Sequence, residues 1–231
     1  MALYTHEDLK DTLAFRGGTA LHKLYLHPAL RYSEDIDLVQ IKSAPAGPLF
    51  KNVREALDEF LGEPQFDQTK RAVTLTYRVE SEIPPVQSLK LKIEVNTREH
   101  FSLYGFTDYP FEIESQWFSG KCSIKTYLLN ELLGTKLRAL YQRRKGRDLY
   151  DLWLGLTKGR ADPTQIVESF KKYMNEEGHK ISQKDYRANL SEKMKKKDFL
   201  GDTNSLLRTE VQYDPQAAYT MIDERILQLL D

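Results

Sequence analysis

At 231 residues, with 40% apolar and 11% aromatic side chains, the chain can bury one large core or two small ones, and its composition excludes intrinsic disorder. Its 34 basic and 34 acidic residues cancel, so only a local patch can draw it to nucleic acid or membrane. No apolar run approaches the roughly 20 residues of a spanning helix, no basic-then-apolar leader opens the chain, and the single cysteine, Cys122, can form neither an internal disulfide nor a thiolate cluster; a cytoplasmic protein without membrane contact is expected.

In chain order, Thr12–Phe15 reads as a short strand running into the Gly17-Gly18 turn. Thr19–Leu26 has the apolar spacing of a short helix, and Asp35–Ile41 that of a strand. Ala44–Pro48 reads as a loop, and Leu49–Leu61 as an amphipathic helix stopped by Gly62 and Pro64. Val73, Leu75, Tyr77 and Val79 alternate with polar residues, as do Leu89, Leu91, Ile93 and Val95; both runs predict strands with one apolar and one polar face. From Ser123 onward the pattern is helical, over 126–143, 147–157, 164–174, 182–197 and 215–230. The fold class is therefore α/β (α+β): a small mixed-sheet domain over 1–120, then a helical domain over 121–231 that carries Lys136, Asp148 and Asp151. Charge divides similarly, with 13 basic and 18 acidic residues in the first span against 21 and 16 in the second.

Three features of the first domain carry chemistry. Gly17-Gly18-Thr19, between a strand and a helix, frees backbone amides to face an anion such as phosphate, although Gly-Gly also serves as a plain turn. Asp35 and Asp37 share one face of their strand while Ile36 and Leu38 point the other way. Adjacent carboxylates repel unless a cation lies between them, and oxygen-only donors suit Mg²⁺ or Mn²⁺; a solvated strand end is the alternative. Glu94 lies on the polar face of its own strand, either as a third carboxylate or as the partner of Lys90 or Lys92.

In the second domain Lys136 falls at the centre of a stripe formed by Leu129, Leu132, Leu133 and Leu140. An ammonium there must meet an anion, phosphate or carboxylate, or turn out to water. Asp148 and Asp151 share one side of the next helix, where an Arg147–Asp151 pair at i, i+4 is the alternative to a functional role.

Phe15-Arg16-Gly17-Gly18-Thr19-Ala20-Leu21 followed by Arg31-Tyr32-Ser33-Glu34-Asp35-Ile36-Asp37-Leu38 resembles the nucleotidyltransferase-like toxins of the AbiEii family, within the DNA polymerase β-type superfamily that includes MenT-type toxins. The resemblance continues at Thr135-Lys136-Leu137 and Gly146-Arg147-Asp148-Leu149-Tyr150-Asp151-Leu152. It implies metal-dependent transfer of a nucleotide from a nucleoside triphosphate (NTP) by in-line attack at the α-phosphate. Asp35 and Asp37 would hold Mg²⁺ or Mn²⁺ with Glu94 as a third ligand. Gly17, Gly18 and Thr19 would position the triphosphate, with Ser33 and Arg147 as further nucleotide contacts. Lys136, with Asp148 or Asp151 as a catalytic or orienting acid, would complete the set. It further implies a cognate antitoxin and, from some relatives, a tRNA 3′ end as acceptor, blocking translation.

Six basic residues between Lys136 and Arg147 (Lys136, Arg138, Arg143, Arg144, Lys145, Arg147), and Lys193 with Lys195-Lys196-Lys197, suit an RNA backbone or a solvated face, with Tyr141, Tyr150 and Tyr186 near enough to stack bases. A protein or small-molecule acceptor, and a non-catalytic nucleotide- or partner-binding module, are the competing readings. His22 and His27 lack zinc spacing; His6, His100 and His179 read as surface, Cys122 as structural, and Trp117 and Trp153 as core.

Overall fold

Alternation in the first half and 3.6-residue periodicity in the second produce two units in the computed structural model, which describes residues 1–33, 35–69, 72–116 and 119–231. Unit 1 comprises Met1–Ala20 and Glu34–Tyr127; unit 2 comprises Leu21–Ser33 and Leu128–Asp231. The division differs from a single cut near residue 120, because Leu21–Ser33 joins the helical unit and the last strand extends to Tyr127.

Unit 1 is built on a seven-stranded mixed sheet. Its strands are β1 (Leu13–Arg16), β2 (Asp35–Gln40), β3 (Gln65–Gln68), β4 (Ala72–Glu80), β5 (Ser88–Asn96), β6 (Phe106–Glu114) and β7 (Ser119–Tyr127), in the order β3-β4-β5-β2-β1-β7-β6. β2–β5 and β1–β7 are parallel, and the other neighbours antiparallel. Among the described residues, two short helices, α1 (Ala2–Thr5) and α2 (Gly17–Ala20), and the long α3 (Ala46–Leu61) complete the unit. The buried residues of α3 are Leu49, Phe50, Val53 and Ala56. The Tyr77 hydroxyl donates to Asp58 of α3 at 2.9 Å, which ties α3 to the sheet face carrying Val73, Leu75, Ile93 and Val95. The opposite face carries the polar side chains of β4 and β5, among them Thr74, Thr76, Lys92 and Glu94.

Helix α3 starts at Ala46, inside the span expected as loop. Pro48 falls in its first turn, where the missing N–H costs nothing because the first four amides of a helix have no intrahelical acceptor. Strand β7 occupies residues expected to begin the helical half. Its alternation of Lys121, Ser123 and Lys125 with Cys122, Ile124 and Thr126 has period two, and β6 pairs along its whole length.

Unit 2 contains α4 (Leu129–Gln142), α5 (Gly146–Thr157), α6 (Pro163–Glu176), α7 (Gln183–Met194), α8 (Lys197–Leu200) and α9 (Pro215–Arg225), with a final turn at Leu227–Leu229. The helices expected over 182–197 and 215–230 therefore each end in a separate turn. Asp162, Ser182 and Asp214 cap α6, α7 and α9 by accepting backbone N–H groups, each removing an orphan donor worth about 1 kcal/mol. A Cβ on Gly134 of α4 would lie 2.3 Å from that of Ser169 on α6, so the bare glycine is what lets these helices approach. Leu21–Ser33 is stitched to this unit by Tyr32 N–H to the Leu206 carbonyl (2.8 Å) and Arg208 N–H to that of Leu30 (3.1 Å).

Candidate active site

On the polar face of the unit 1 sheet, the register places Asp35 opposite Lys92 and Asp37 opposite Glu94 across the parallel β2–β5 pair, and Asp37 opposite Arg16 across the antiparallel β1–β2 pair. Side chains at paired positions emerge on the same face, so Asp35, Asp37, Lys92, Glu94 and Arg16 all share it, as the sequence period requires. Leu38 lies on the opposite face and is fully buried.

The glycine turn is fitted to these carboxylates. Gly17 has φ of +76°, a conformation open mainly to glycine, and the Asp37 carboxylate lies over its bare Cα. Thr19, expected to position a triphosphate, is engaged within the fold. It is buried, and its hydroxyl donates to the Asp35 carbonyl, so it fastens α2 to the start of β2. Arg16 makes a 2.6 Å ion pair with Glu99, and the Asn96 side chain accepts the N–H groups of Arg98 and Glu99 (2.8 and 3.0 Å), shaping the loop that carries Glu99.

Glu94 lies on the expected face, but its carboxylate accepts from Lys92 Nζ at 2.8 Å along the same strand. That bond, opposed by partial desolvation and aided by the charges of Asp35 and Asp37, holds the Lys92 ammonium above the usual lysine range. Among the described residues no three His, Cys, Asp or Glu side chains gather to hold a metal. Glu94 thus pairs with Lys92 through Oε2. The two aspartates, hard oxygen donors on one face with a glycine turn at their edge, are the donor set that suits Mg²⁺ or Mn²⁺.

The unit 2 residues form a buried ionic network. Lys136 is only 5% exposed and Asp148 and Asp151 are at 0%, so the lysine does not reach out to water. Its Nζ lies 2.9 Å from Asp151 Oδ2 and 3.2 Å from Asp148 Oδ1. Arg31 grips Asp151 with two bonds of 2.7 Å, and His22 Nε2 lies 3.0 Å from the same carboxylate. Arg143 grips Asp148 with bonds of 2.7 and 2.8 Å. Burial works to raise both carboxyl pKa values, yet the Lys136 charge and the arginines hold Asp148 below, and Asp151 well below, the ordinary carboxylate range. The i, i+4 pairing of Arg147 with Asp151 does not form: Arg147 lies 3.3 Å from Asp202, which also accepts its backbone N–H at 3.0 Å.

The basic run finds its acids elsewhere in the chain. Arg138 lies 3.6 Å from Glu177 and 5.0 Å from the centre of the Tyr173 ring, Arg144 2.8 Å from Asp198, and Lys145 3.7 Å from Asp202. Lys193 is buried, donates to the carbonyls of Leu140 and Tyr141 at the end of α4, and has its ammonium pushed down to about 8 by burial. Lys195, Lys196 and Lys197 are exposed, as is Ser33.

Trp153 packs with Tyr150 and Tyr213, and Tyr186 is core, whereas Trp117 and Glu34 lie outside the described residues. His22 and Arg31 were absent from the expected site. Neither carries a local sequence signal, since the Asp151 they share lies 129 and 120 positions away in the chain.

Over residues 2–221 the chain matches the family described as Nucleotidyl transferase AbiEii toxin, Type IV TA system. None of the curated proteins matches it. Among solved structures it is similar to JHP933 from Helicobacter pylori, with a TM-score of 0.59 and 20% identity over 99% of this chain and 87% of that one. It is also similar to the nucleotidyltransferase toxin MenT4 from Mycobacterium tuberculosis, with a TM-score of 0.52 and 17% identity over 99% and 89%. At these identities the structures establish a shared fold. Among the described residues, no helix is long and apolar enough to cross a membrane.

Proposed function

Because the chain belongs to the AbiEii family of nucleotidyl transferase toxins of type IV toxin–antitoxin systems, we propose that it transfers a nucleotide from an NTP to an RNA acceptor, the tRNA 3′ end, and thereby blocks translation. The single observation that carries the site assignment is the sharing of one sheet face by Asp35 and Asp37, with Gly17 bare beneath the Asp37 carboxylate. Family membership brings with it an NTP as substrate and an antitoxin as genetic partner.

In the proposed reaction an acceptor hydroxyl oxygen forms a bond to the α-phosphorus and the α–β bridging bond breaks. Pyrophosphate departs with the electron pair, and the hydroxyl proton leaves through the carboxylate face to solvent. Asp35 and Asp37 would hold Mg²⁺ or Mn²⁺, which when bound supplies Lewis-acid polarisation of the phosphates. The Gly17–Gly18 backbone lets the triphosphate approach closely. Thr19 fixes β2 against this turn, so the aspartates keep their position during turnover.

In the helical unit we assign Asp148 and Asp151 the orienting half of the expected role. Each carboxylate is saturated by cations and sealed from water, so what they contribute is a fixed Lys136. The RNA acceptor is supported by the half-exposed Arg144 and Lys145 and by the exposed Lys195–Lys197 run. The experiment incubates the protein with Mg²⁺, total RNA and each α-labelled NTP in turn. Label is expected in tRNA-sized RNA and lost in Asp37→Ala. Label confined to a protein band or a soluble metabolite would replace the RNA acceptor.

A further inference from the structure

We infer that Arg78 and Lys90, which lie outside the sequence motifs, hold backbone phosphates of the RNA acceptor just inside its 3′ end. The inference rests on the proposed nucleotidyl-transfer reading and adds to that site a contact for its acceptor.

Strand register puts the pair on the site's own face. Lys92 lies opposite both Asp35 on β2 and Thr76 on β4, and the next row outward on that face is Lys90 opposite Arg78. Along the strands this row is about 7 Å from the Asp35–Lys92 row and about 13 Å from the Asp37–Glu94 row.

On the described strands, every other cation of this face meets an acid. Arg16 pairs with Glu99 at 2.6 Å, Lys92 with Glu94 at 2.8 Å, Lys125 with Asp108 at 2.8 Å and Lys121 with Glu112 at 3.3 Å. Arg78 and Lys90 are exposed, and among the described residues neither has an ion pair or a hydrogen bond from its side chain. Glu80, the next residue of β4 on this face, stands opposite Ser88 and bonds to neither cation. Like charges directly opposite one another weaken a strand pair, so the sheet carries a cationic pair that its own residues leave to an outside anion.

The side of the site on which the pair lies selects that anion. The glycine turn follows β1, on one side of β2, whereas Lys90 and Arg78 are on β5 and β4, on the other. In-line transfer keeps the attacking hydroxyl and the departing pyrophosphate on opposite sides of the α-phosphorus. With the pyrophosphate toward the glycine turn, the acceptor hydroxyl enters from β5, and the strand behind it passes over Lys90 and Arg78. A guanidinium grips two oxygens of a phosphate, and an ammonium on a flexible stem adds a point charge beside it.

The test uses total tRNA as acceptor. Transfer is measured with tRNA varied at saturating NTP and with NTP varied at saturating tRNA, and tRNA binding by filter retention at several salt concentrations. In the double variant Arg78→Gln with Lys90→Gln, KM for tRNA is expected to rise at least tenfold while KM for NTP stays within about twofold, and the salt slope to fall by about two. Lys90→Glu gives Arg78 the acid it lacks, so it should raise KM for tRNA without lowering the melting temperature. An unchanged KM for tRNA and salt slope in the double variant overturns the inference and leaves the transfer site standing. So does a rise confined to KM for NTP, which assigns the pair to the triphosphate. A wild-type chain that labels no RNA, as inactive as Asp37→Asn, removes the transfer reading and the inference together.

Discussion

A Cβ on Gly17 would lie 2.0 Å from Oδ2 of Asp37, so the glycine turn and the second aspartate occupy one another's space. The same residue has φ of +76°, where a side chain costs about 1–2 kcal/mol. Gly17→Ala therefore both strains the turn and pushes the carboxylate off its position. We predict a fall in nucleotide transfer of at least 100-fold. The accompanying thermal shift should be modest, about 2–8 °C for 1–2 kcal/mol in a chain of this size. Labelled-nucleotide incorporation and a thermal melt on the same preparation separate the two effects.

Lys136 bridges two carboxylates that have no access to water. Its removal in Lys136→Ala leaves two buried negative charges with one fewer cation, and breaking a buried pair in this way costs about 3–5 kcal/mol. The variant should lose transfer activity together with stability, read as a lower urea midpoint at unchanged slope. Lys136→Arg, which keeps the charge, should recover most of the stability, and its activity reports whether the ammonium shape itself matters.

Asp148 and Asp151 also set the acid limit of the helical unit. Their carboxyl pKa values are lower folded than unfolded, so below about pH 4, where free aspartates begin to protonate, the unfolded chain takes up protons before the folded one. Stability is thus fully present above that pH and is lost as pH falls through the folded values. Denaturant midpoints measured from pH 7 down to pH 2 should drop steeply at the acid end. The drop should be shallower in Asp151→Asn, which starts from a lower stability at pH 7.

The basic run divides into residues that hold the fold and residues available to a ligand. Arg143→Ala removes two bonds from a carboxylate sealed inside the unit and should destabilise the protein measurably. Arg144→Ala removes an exposed pair, worth about 0–1 kcal/mol, and Lys145→Ala a 3.7 Å pair to Asp202, which Arg147 still holds; each should shift the melting temperature by about 4 °C at most. If these two side chains contact RNA phosphates, each replacement lowers the salt dependence of RNA binding by about one unit of slope, read from filter binding at several ionic strengths.

What the sequence made legible follows physical range. Alternation is a local property, so β4 and β5 were readable from Val73–Val79 and Leu89–Val95, and the Asp35–Asp37 face followed from period two. Strand β6 was not, because it is a sheet edge whose residues are all exposed or half-buried, with Pro110 in the middle. The Lys136 environment was readable as a demand for an anion, since a cation in a leucine stripe cannot stand alone. Which anion met it was not, because Asp148 and Asp151 are a helix away and the further partners of Asp151, His22 and Arg31, lie 129 and 120 positions away in the chain. For the same reason the acids that pair with the basic run, at Glu177, Asp198 and Asp202, could not be seen from the run itself.

The most direct measurement follows both ends of the broken phosphate bond. The wild-type protein is supplied with an NTP labelled at the α-phosphate, and separately with one labelled at the γ-phosphate, in the presence of Mg²⁺ and RNA; Asp35→Asn and Asp37→Asn are run alongside. The predicted result is α-label joined to the RNA, γ-label released as pyrophosphate, and both lost in either variant. Transfer by Asp37→Asn at the wild-type rate, or γ-label appearing on the acceptor, would contradict nucleotidyl transfer on the Asp35–Asp37 face.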